Sequence, residues 1–428
     1  MNKKHIKNLF YTIALLLFFP LYAGAATEML QFGGMENGSI TDDAFVSTTG
    51  TISAVSSTTH SGGYSFRSSP ATTATGFGNT GPYGTTGLFA GGNTNVTGSS
   101  TAHVWFRQDQ LPTASMERIF DFTTNAAVQS AFVAIDSTGA LGVYDSLGVQ
   151  IGATTTTVIA AATWTSITFD VNFADAGIFI LKINDVQVAN GTGDFINGSI
   201  DHFRIGKTVN TGGNSVNFYY DDWQWTTGDN TLNTAAVVAT AIPNADGDLT
   251  GWTGGTGLSD YLEVDDFPGH DTSTYNASAA VDVSESYNVQ DSGSMSIAIN
   301  GTATIKAVVA RNMVIRDGAS NGTVQMLMRS GTTNATTTGA ASSAVYVNQG
   351  ILRETDPSTS AAWTISGIYG VEVGVTDNHA TNRARVSAGH IDVLFVQGVV
   401  ASATQRRMRL FEGFRIKLIS GRLKVLQN

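Results

Sequence analysis

The nine residues Asn217–Trp225, NFYYDDWQW, place two adjacent carboxylates inside an otherwise aromatic run. Aromatic residues favour strands, and alternation along a strand sends Asp221 and Asp222 to opposite faces. One of them is therefore aimed at a packed interior. A buried carboxylate is costly unless it is paired or holds a cation. The stretch thus predicts a neutralising partner elsewhere in the chain.

Upstream of this run, AHVWFRQ, AFVAIDSTGALGVYD, WTSITFDVNF, GIFILKINDVQVAN and IDHFRIGK alternate apolar and polar residues between Gly, Asn, Asp and Thr clusters. Short strands at regular spacing predict a sandwich or barrel over residues 27–228, with hairpin turns at STGAL and KINDVQV. The stretch TTGDNTLNTAAVVATAIPNADGD reads as a linker or as the entry strand of a second β-rich block, residues 229–400. Strands are expected there in SMSIAIN, TIKAVVARNMVI, TVQMLMRSG and HIDVLFVQG, with one short helix in PSTSAAWTISGIYGVEVGV. The fold class expected is all-β, a jelly-roll sandwich plus a second β-sandwich-like domain.

Three pieces of the first block carry a family resemblance: MENGS (35–39), HSGGYSFRSS (60–69) and FYYDDWQW (218–225). Together they resemble the concanavalin A-like jelly rolls, especially laminin-G-like domains and calcium-stabilised carbohydrate-binding modules. In such modules the first and last strands are neighbours and their acids share one structural calcium ion. The resemblance implies Glu36 and either Asp221 or Asp222 as acidic ligands, with backbone carbonyls near His60 and Ser61 completing the shell. Met35 departs from the family, which has an aromatic residue before the glutamate. The physical chemistry agrees independently, since calcium takes six to eight oxygens from mixed carboxylate and carbonyl donors. The Gly62-Gly63 turn lets main chain approach closely. The alternative is an exposed acidic edge solvated by water.

Asp265, Asp266, Pro268, Thr272 to Tyr275, Pro357, Thr359, Trp363 and Thr364 of the second block resemble a β-domain found beside laminin-G-like domains in tailed-phage virion proteins. That resemblance implies a structural or decoration role. The N-terminus departs from it. MNKKHIKNLFYTIALLLFFPLYAGA has a basic start (Lys3, Lys4, Lys7), an apolar run from Leu9 to Phe19 and an Ala23-Gly24-Ala25 end. This is the pattern of a signal peptide over residues 1–25. Its apolar run is shorter than the roughly 18 residues a spanning helix needs, so an exported protein with no transmembrane anchor is expected.

The chain has 428 residues, no cysteine and a net charge of −11. Without disulfides, an exported protein must draw stability from core size, metal or assembly. Much of the positive charge lies in residues 401–428, where Arg406, Arg407, Arg409, Arg415, Lys417, Arg422 and Lys424 stand against Glu412. The remaining body is strongly acidic, which disfavours nucleic acid and favours cations. In the tail, Phe414, Ile416 and Leu418 alternate with Arg415 and Lys417, predicting an amphipathic hairpin that closes a sheet, self-assembles or touches an anionic surface.

Catalytic signals fail on inspection, and no enzyme activity is expected. A jelly-roll glucanase strand needs Glu-x-Asp-x-x-Glu; in EVDDFP, Pro268 occupies the last acidic position. RIGKT has Asp201 where a phosphate loop requires its first glycine. The histidines are scattered, and no Gly-x-Ser-x-Gly elbow is present. Glycan contact needs an aromatic face and nearby polar groups. Tyr83 in the glycine-rich GFGNTGPYGTTGLFAGGN offers one, with Phe77, Asn79 and Asn93 close in sequence; the competing reading makes Phe77 and Phe89 core anchors. Trp105 and Trp164 are expected in the core, and Trp225 fits either place. Asp246, Asp248, Asp265 and Asp266 read as solvated turn acids in preference to a second calcium site.

Overall fold

The computed structural model describes residues 29–40, 45–69, 75–80, 96–113, 116–124, 128–195, 199–208, 215–228, 235–266, 269–278, 280–291, 293–317, 323–337, 339–341, 343–378, 383–398, 414–419 and 422–427. The expected signal peptide lies outside them. Among the described residues no helix is long and apolar enough to cross a membrane.

Among the described residues the first sandwich has fourteen strands. They are β1 (Met29–Gly33), β2 (Phe45–Gly50), β3 (Ile52–Val55), β4 (Ser65–Ser68), β5 (Gly76–Thr80), β6 (Gly98–Gln108) and β7 (Glu117–Thr123). Then follow β8 (Gln129–Ile135), β9 (Leu141–Tyr144), β10 (Thr165–Phe173), β11 (Gly177–Ile183), β12 (Val186–Gly193), β13 (His202–Lys207) and β14 (Phe218–Thr227). One sheet runs β12-β11-β10-β6-β14-β4-β3, with β1 also on β14; the other runs β2-β5-β13-β7-β8-β9. The first and last strands are thus antiparallel neighbours, with Gly33 opposite Trp223. The KINDVQV turn forms as expected, Asn184 and Asp185 both taking positive φ between β11 and β12. Such paired left-handed residues match the twist of a tight hairpin.

The second sandwich begins with β15 (Ala236–Ala241), β16 (Pro243–Thr250), β17 (Trp252–Gly254), β18 (Asn276–Ser278), β19 (Val283–Val289) and β20 (Thr304–Asp317). It continues with β21 (Thr323–Ser330), β22 (Thr333–Thr336), β23 (Ala340–Ala341), β24 (Val347–Arg353), β25 (Val371–Asp377) and β26 (Arg383–Val396). Its sheets run β17-β18-β26-β20-β24, with β15 on β26, and β16-β19-β25-β21-β22, with β23 on β21. The expected short helix is Ile365–Ile368, capped by Thr364, whose hydroxyl accepts from Gly367 N at 3.0 Å. The fold class read from the sequence, all-β with two sandwiches, is the one observed.

The β15-β26-β20 region is buried on both faces. Ala307 and Val309 of β20 pack into the first core beside Phe32 and Trp223, whereas Val308 and Ala310 pack into the second beside Tyr287 and Trp363. Leu394 of β26 and Val238 of β15 likewise enter the first core, while Val393, Phe395 and Ala239 enter the second. This explains why the sequence of β20 reads as a near-continuous apolar run: a strand covered on both sides has no solvent face to mark with polar residues. Between the layers, buried Arg311 donates to Asp392 Oδ2 at 2.7 Å and to the carbonyl of Phe32 at 2.8 Å. Main-chain Met29 N donates to Glu354 across the same seam. Residues up to Gln397 accordingly form one compact unit.

Gly398–Asn428 form a second unit. In it β27 (Phe414–Ile419) pairs antiparallel with β28 (Arg422–Gln427), Phe414 lying opposite Gln427. The backbone hairpin expected from the tail alternation is therefore present.

Candidate metal centre

Three segments far apart in sequence meet at the end of β14. The β1–β14 pairing brings the chain after Gly33 to this point, where Met35 takes φ 61° and Glu36 turns inward, 2% exposed. The turn after β3 brings His60 to Gly63. On β14 itself, a bulge between Asp221 and Gln224 breaks the pairing with β6, and Asp222 adopts φ 44°. Short acidic side chains tolerate this left-handed conformation better than most residues.

The bulge corrects the alternation argument. Asp221 and Asp222 do not face opposite sides; both are fully buried and both meet the same His60-Ser61 segment. Asp221 Oδ2 accepts from His60 N at 2.8 Å and Ser61 N at 3.2 Å, and its Oδ1 accepts from Asp222 N at 2.9 Å. Asp222 Oδ2 lies 2.8 Å from His60 Nδ1 and accepts from the Ser61 hydroxyl at 2.7 Å. Its Oδ1 accepts from Val238 N, on β15, at 2.8 Å. The acid pair therefore ties the last strand of one sandwich to the first strand of the other. The His60-Ser61 turn meets Asp221 through its amides, where the sequence reading had its carbonyls completing an oxygen shell.

Glu36 Oε2 accepts from Gly63 N at 2.8 Å, while Oε1 is buried with no hydrogen-bond partner. The Ser296 hydroxyl of the second sandwich also approaches this carboxyl without closing a bond to Oε1. Gly62 has φ +55°, and a Cβ there would fall 2.0 Å from Glu36 Oε2. Glycine is required at this position both for backbone conformation and for room.

The electrostatics follow from burial. Desolvation, opposed by the Gly63 amide and reinforced by the Asp222 charge, pushes the Glu36 carboxyl up to about 8. Desolvation, then the charges of Asp222 and Glu36, push Asp221 well above the carboxylate range. Neutral pH therefore leaves this cluster with two choices, to hold protons or to gain positive charge. The oxygens are of the type a hard cation takes, but Asp221 Oδ2 and Asp222 Oδ2 already meet two partners each, which leaves Glu36 Oε1 as the open position of the cluster. Each ionised carboxylate offers about four acceptor positions, so an oxygen that already receives one N–H keeps a second lone pair. Glu36 Oε1 has none of its positions filled. Among the described residues no three acidic or histidine side chains close into a complete metal cage, so an ion here would also draw on main-chain or water oxygens.

Around the cluster, His60 stacks on Trp105 with ring centres 3.7 Å apart, and Trp164 meets it edge-on at 5.8 Å. Both tryptophans are only half-buried, a correction to their expected place in the core. The alternation of β6 carries the reason: Val104 and Phe106 fill the core, so Trp105 must face outward. Trp225, by contrast, is fully buried and donates to Ser100 Oγ at 2.6 Å.

The candidate glycan residues are only partly visible. Tyr83 and Asn93 lie outside the described residues. Phe77 and Asn79 both stand on β5, opposite Gly206 and Arg204 of β13. Phe77 is half-buried, with the Arg204 guanidinium 5.1 Å from its ring centre. Among the other acids, Asp246 accepts from Tyr261 N, Asp248 pairs with Arg329 at 2.9 Å, and Asp266 accepts from Asp271 N. Asp246 and Asp248 stand exposed on β16 and Asp265 pairs its main chain with Ala388, so these three are not in the turn setting expected of them, while Asp266 braces a loop.

No protein-family model matches the chain, and no curated protein matches it. Solved structures similar to part of it include an endo-β-1,4-glucuronan lyase from the fungus Trichoderma reesei, at 14% identity and TM-score 0.35, covering 46% of this chain and 95% of that one. A carbohydrate esterase from the Shiga toxin-encoding bacteriophage phi24B matches at 12% identity and TM-score 0.35, covering 48% and 100%. Domain 4 of the Geobacillus stearothermophilus arabinanase AbnA, in complex with arabinotriose, matches at 16% identity and TM-score 0.32, covering 47% and 93%. Likeness at this level assigns neither substrate nor activity to this chain.

Proposed function

We propose that this chain is an exported, non-catalytic surface protein whose first sandwich, clamped by calcium, displays a recognition surface for a glycan or another surface polymer. The observation that carries this reading is the burial of the acid cluster. Glu36, Asp221 and Asp222 are at most 2% exposed and are engaged by main-chain amides on strands and turns of both sandwiches. Carboxylates used as acid and base must reach a scissile bond; these are sealed away from solvent and join chain segments instead. Calcium would be held by Glu36 with Asp221 or Asp222, and it would supply the charge that lets them stay ionised. The half-buried Trp105 and Trp164 beside the cluster add apolar ring surface of the kind sugars stack on.

The experiment is a glycan array probed with the full mature chain in calcium and in chelator. Saturable binding to a defined set of glycans is expected, weakened by the chelator. Turnover of any arrayed polysaccharide would refute the non-catalytic assignment, and uniform absence of binding would refute glycan recognition. A second reading, a structural or decoration subunit of a virion or extracellular assembly, is favoured by the tail: a hairpin forming its own unit is suited to dock on another copy. Size-exclusion chromatography with and without residues 398–428 separates the two, because an assembling subunit loses its oligomer on truncation.

A further inference from the structure

A second group of acids meets inside the second sandwich, remote in sequence from the Glu36 cluster. Asp246 on β16 lies opposite Tyr287 of β19, and Glu285 precedes Tyr287 by two residues. Strand alternation therefore puts Asp246 and Glu285 on the same inward face as Tyr287, a fully buried core residue. The third acid, Asp260, opens a short 3-10 turn, Asp260–Glu263. Asp246 Oδ1 accepts from Tyr261 N at 2.9 Å, which draws that turn against β16.

Two of these carboxyls cap an open strand edge. Strand β17 pairs with β18 on one side only, and Gly255 N donates to the Tyr275 carbonyl at 2.7 Å on that side. Amides alternate along a strand, so Trp252 N and Gly254 N leave the other edge roughly 7 Å apart. Glu285 Oε2 accepts from Trp252 N at 2.8 Å, and Asp260 Oδ1 accepts from Gly254 N at 3.2 Å. The two carboxyls thus lie side by side. Glu285 is fully buried, and its Oε1 has no hydrogen-bond partner. Glu263, equally buried, is what a purely structural acid looks like here. Its Oε1 accepts from Thr256 N, Thr256 Oγ1 and Leu258 N, and its Oε2 from Tyr275 N. Burial, opposed by the Trp252 amide and reinforced by the charges of Asp260 and Asp246, pushes the Glu285 carboxyl up to about 8. Arg329 neutralises Asp248, the next acid on β16, and among the described residues no ion pair reaches Glu285, Asp260 or Asp246.

We propose that Glu285, flanked by Asp260 and Asp246, holds a further calcium ion inside the second sandwich, with water completing the oxygen shell. Calcium takes oxygens at about 2.3–2.6 Å in an irregular, partly hydrated shell, whereas magnesium demands a near-ideal octahedron. Among the described residues no three acids close into a complete cage, so water is needed. The affinity expected is that of extracellular calcium modules, roughly 10⁻⁴–10⁻³ M. An ion here joins β16, β17, β19 and the Asp260–Glu263 turn. A proton on Glu285 is the competing way to relieve the repulsion, and it leaves no calcium bound. The site shares no residue with the Glu36 cluster, so either assignment can fail without the other.

The test is equilibrium dialysis of the full mature chain against radiolabelled calcium at pH 8, for the parent and for E285Q, D260N and E36Q. Two ions per parent chain are expected, and one per chain for E285Q and for E36Q. D260N should weaken the Glu285 site about tenfold or more. A parent that binds no calcium, or an E285Q or D260N chain that binds calcium as the parent does, would overturn the proposal. A single ion lost in E285Q and kept in E36Q upholds this site and removes the one at Glu36. Where E285Q loses its thermal transition, hydrogen exchange of the parent chain decides. Calcium-dependent protection at residues 252–254 and 260–263 supports the site, and protection confined to the first sandwich overturns it.

Discussion

Removing divalent cations at alkaline pH should destabilise this protein, and the size of the effect can be worked from Glu36. Its carboxyl stands at about 8 in the folded chain against an ordinary 4.5. A raised folded value means that the protonated form is the one the fold favours. Stability from this group is therefore full below about pH 4.5 and is lost as pH rises through 8. At about 1.4 kcal/mol per unit, the loss approaches ~5 kcal/mol for Glu36 alone, and Asp221 shifts in the same direction. A bound cation reverses the balance by rewarding the ionised form. Differential scanning calorimetry of the mature chain at pH 5 and pH 8, each in calcium and in chelator, should then show a chelator effect that is small at pH 5 and large at pH 8. A shift of roughly 5–10 °C is the scale expected at pH 8, taking about 2 °C per kcal/mol for a large domain. The isosteric substitution Glu36→Gln sharpens the test. In chelator at pH 8 it should be more stable than the parent by a few kcal/mol, because a desolvated charge is gone; in calcium the order should reverse. A melting temperature at pH 8 that ignores both calcium and chelator would refute the cation, and a flat response to pH as well would refute the electrostatic reasoning behind it.

Gly62→Ala should cost about 2 kcal/mol or more in urea unfolding and should blunt the calcium response, since the new methyl occupies the place of the Glu36 carboxylate in a left-handed turn. Arg311→Met should cost about 3–5 kcal/mol, because it strands the buried Asp392 charge; guanidinium unfolding measures this. Asp392 is held below the ordinary carboxylate range by its His390 and Arg311 neighbours, so its contribution is present above about pH 4 and is lost as pH falls further. Residues up to Gln397 should unfold in a single calorimetric transition despite containing two sandwiches, because strands β15, β20 and β26 feed both cores; two resolved transitions would contradict the shared seam.

Much of the acid cluster was legible in the sequence. MENGS supplies an acid, HSGG a glycine pair and YYDD an acid pair among aromatics, and the structure brings all three to one place. Strand alternation located the pair but misdirected one member, because a bulge adds residues without leaving a pattern in polarity. The one available hint was that aspartate is among the few residues that tolerate positive φ. The outward tryptophans were missed for a related reason: large aromatic residues read as core unless the register of their neighbours is known. The Glu285 site of the second sandwich left no motif, since Asp246 and Glu285 lie on β16 and β19 and Asp260 on the turn Asp260–Glu263, apart in sequence. The fusion of the two cores left a partial trace in the consecutive apolar residues Ala307 to Ala310 of β20, which a strand with one wet face would not need.

The doubly covered sheet has a mechanical consequence. A module pair joined by a flexible tether can swivel, so that two attachment points on it search independently and a pull on one leaves the other slack. Here the junction behaves as a weld: a load applied to either sandwich is borne by strands that both of them own. A polymer that bound both halves would therefore have to match a fixed separation between them.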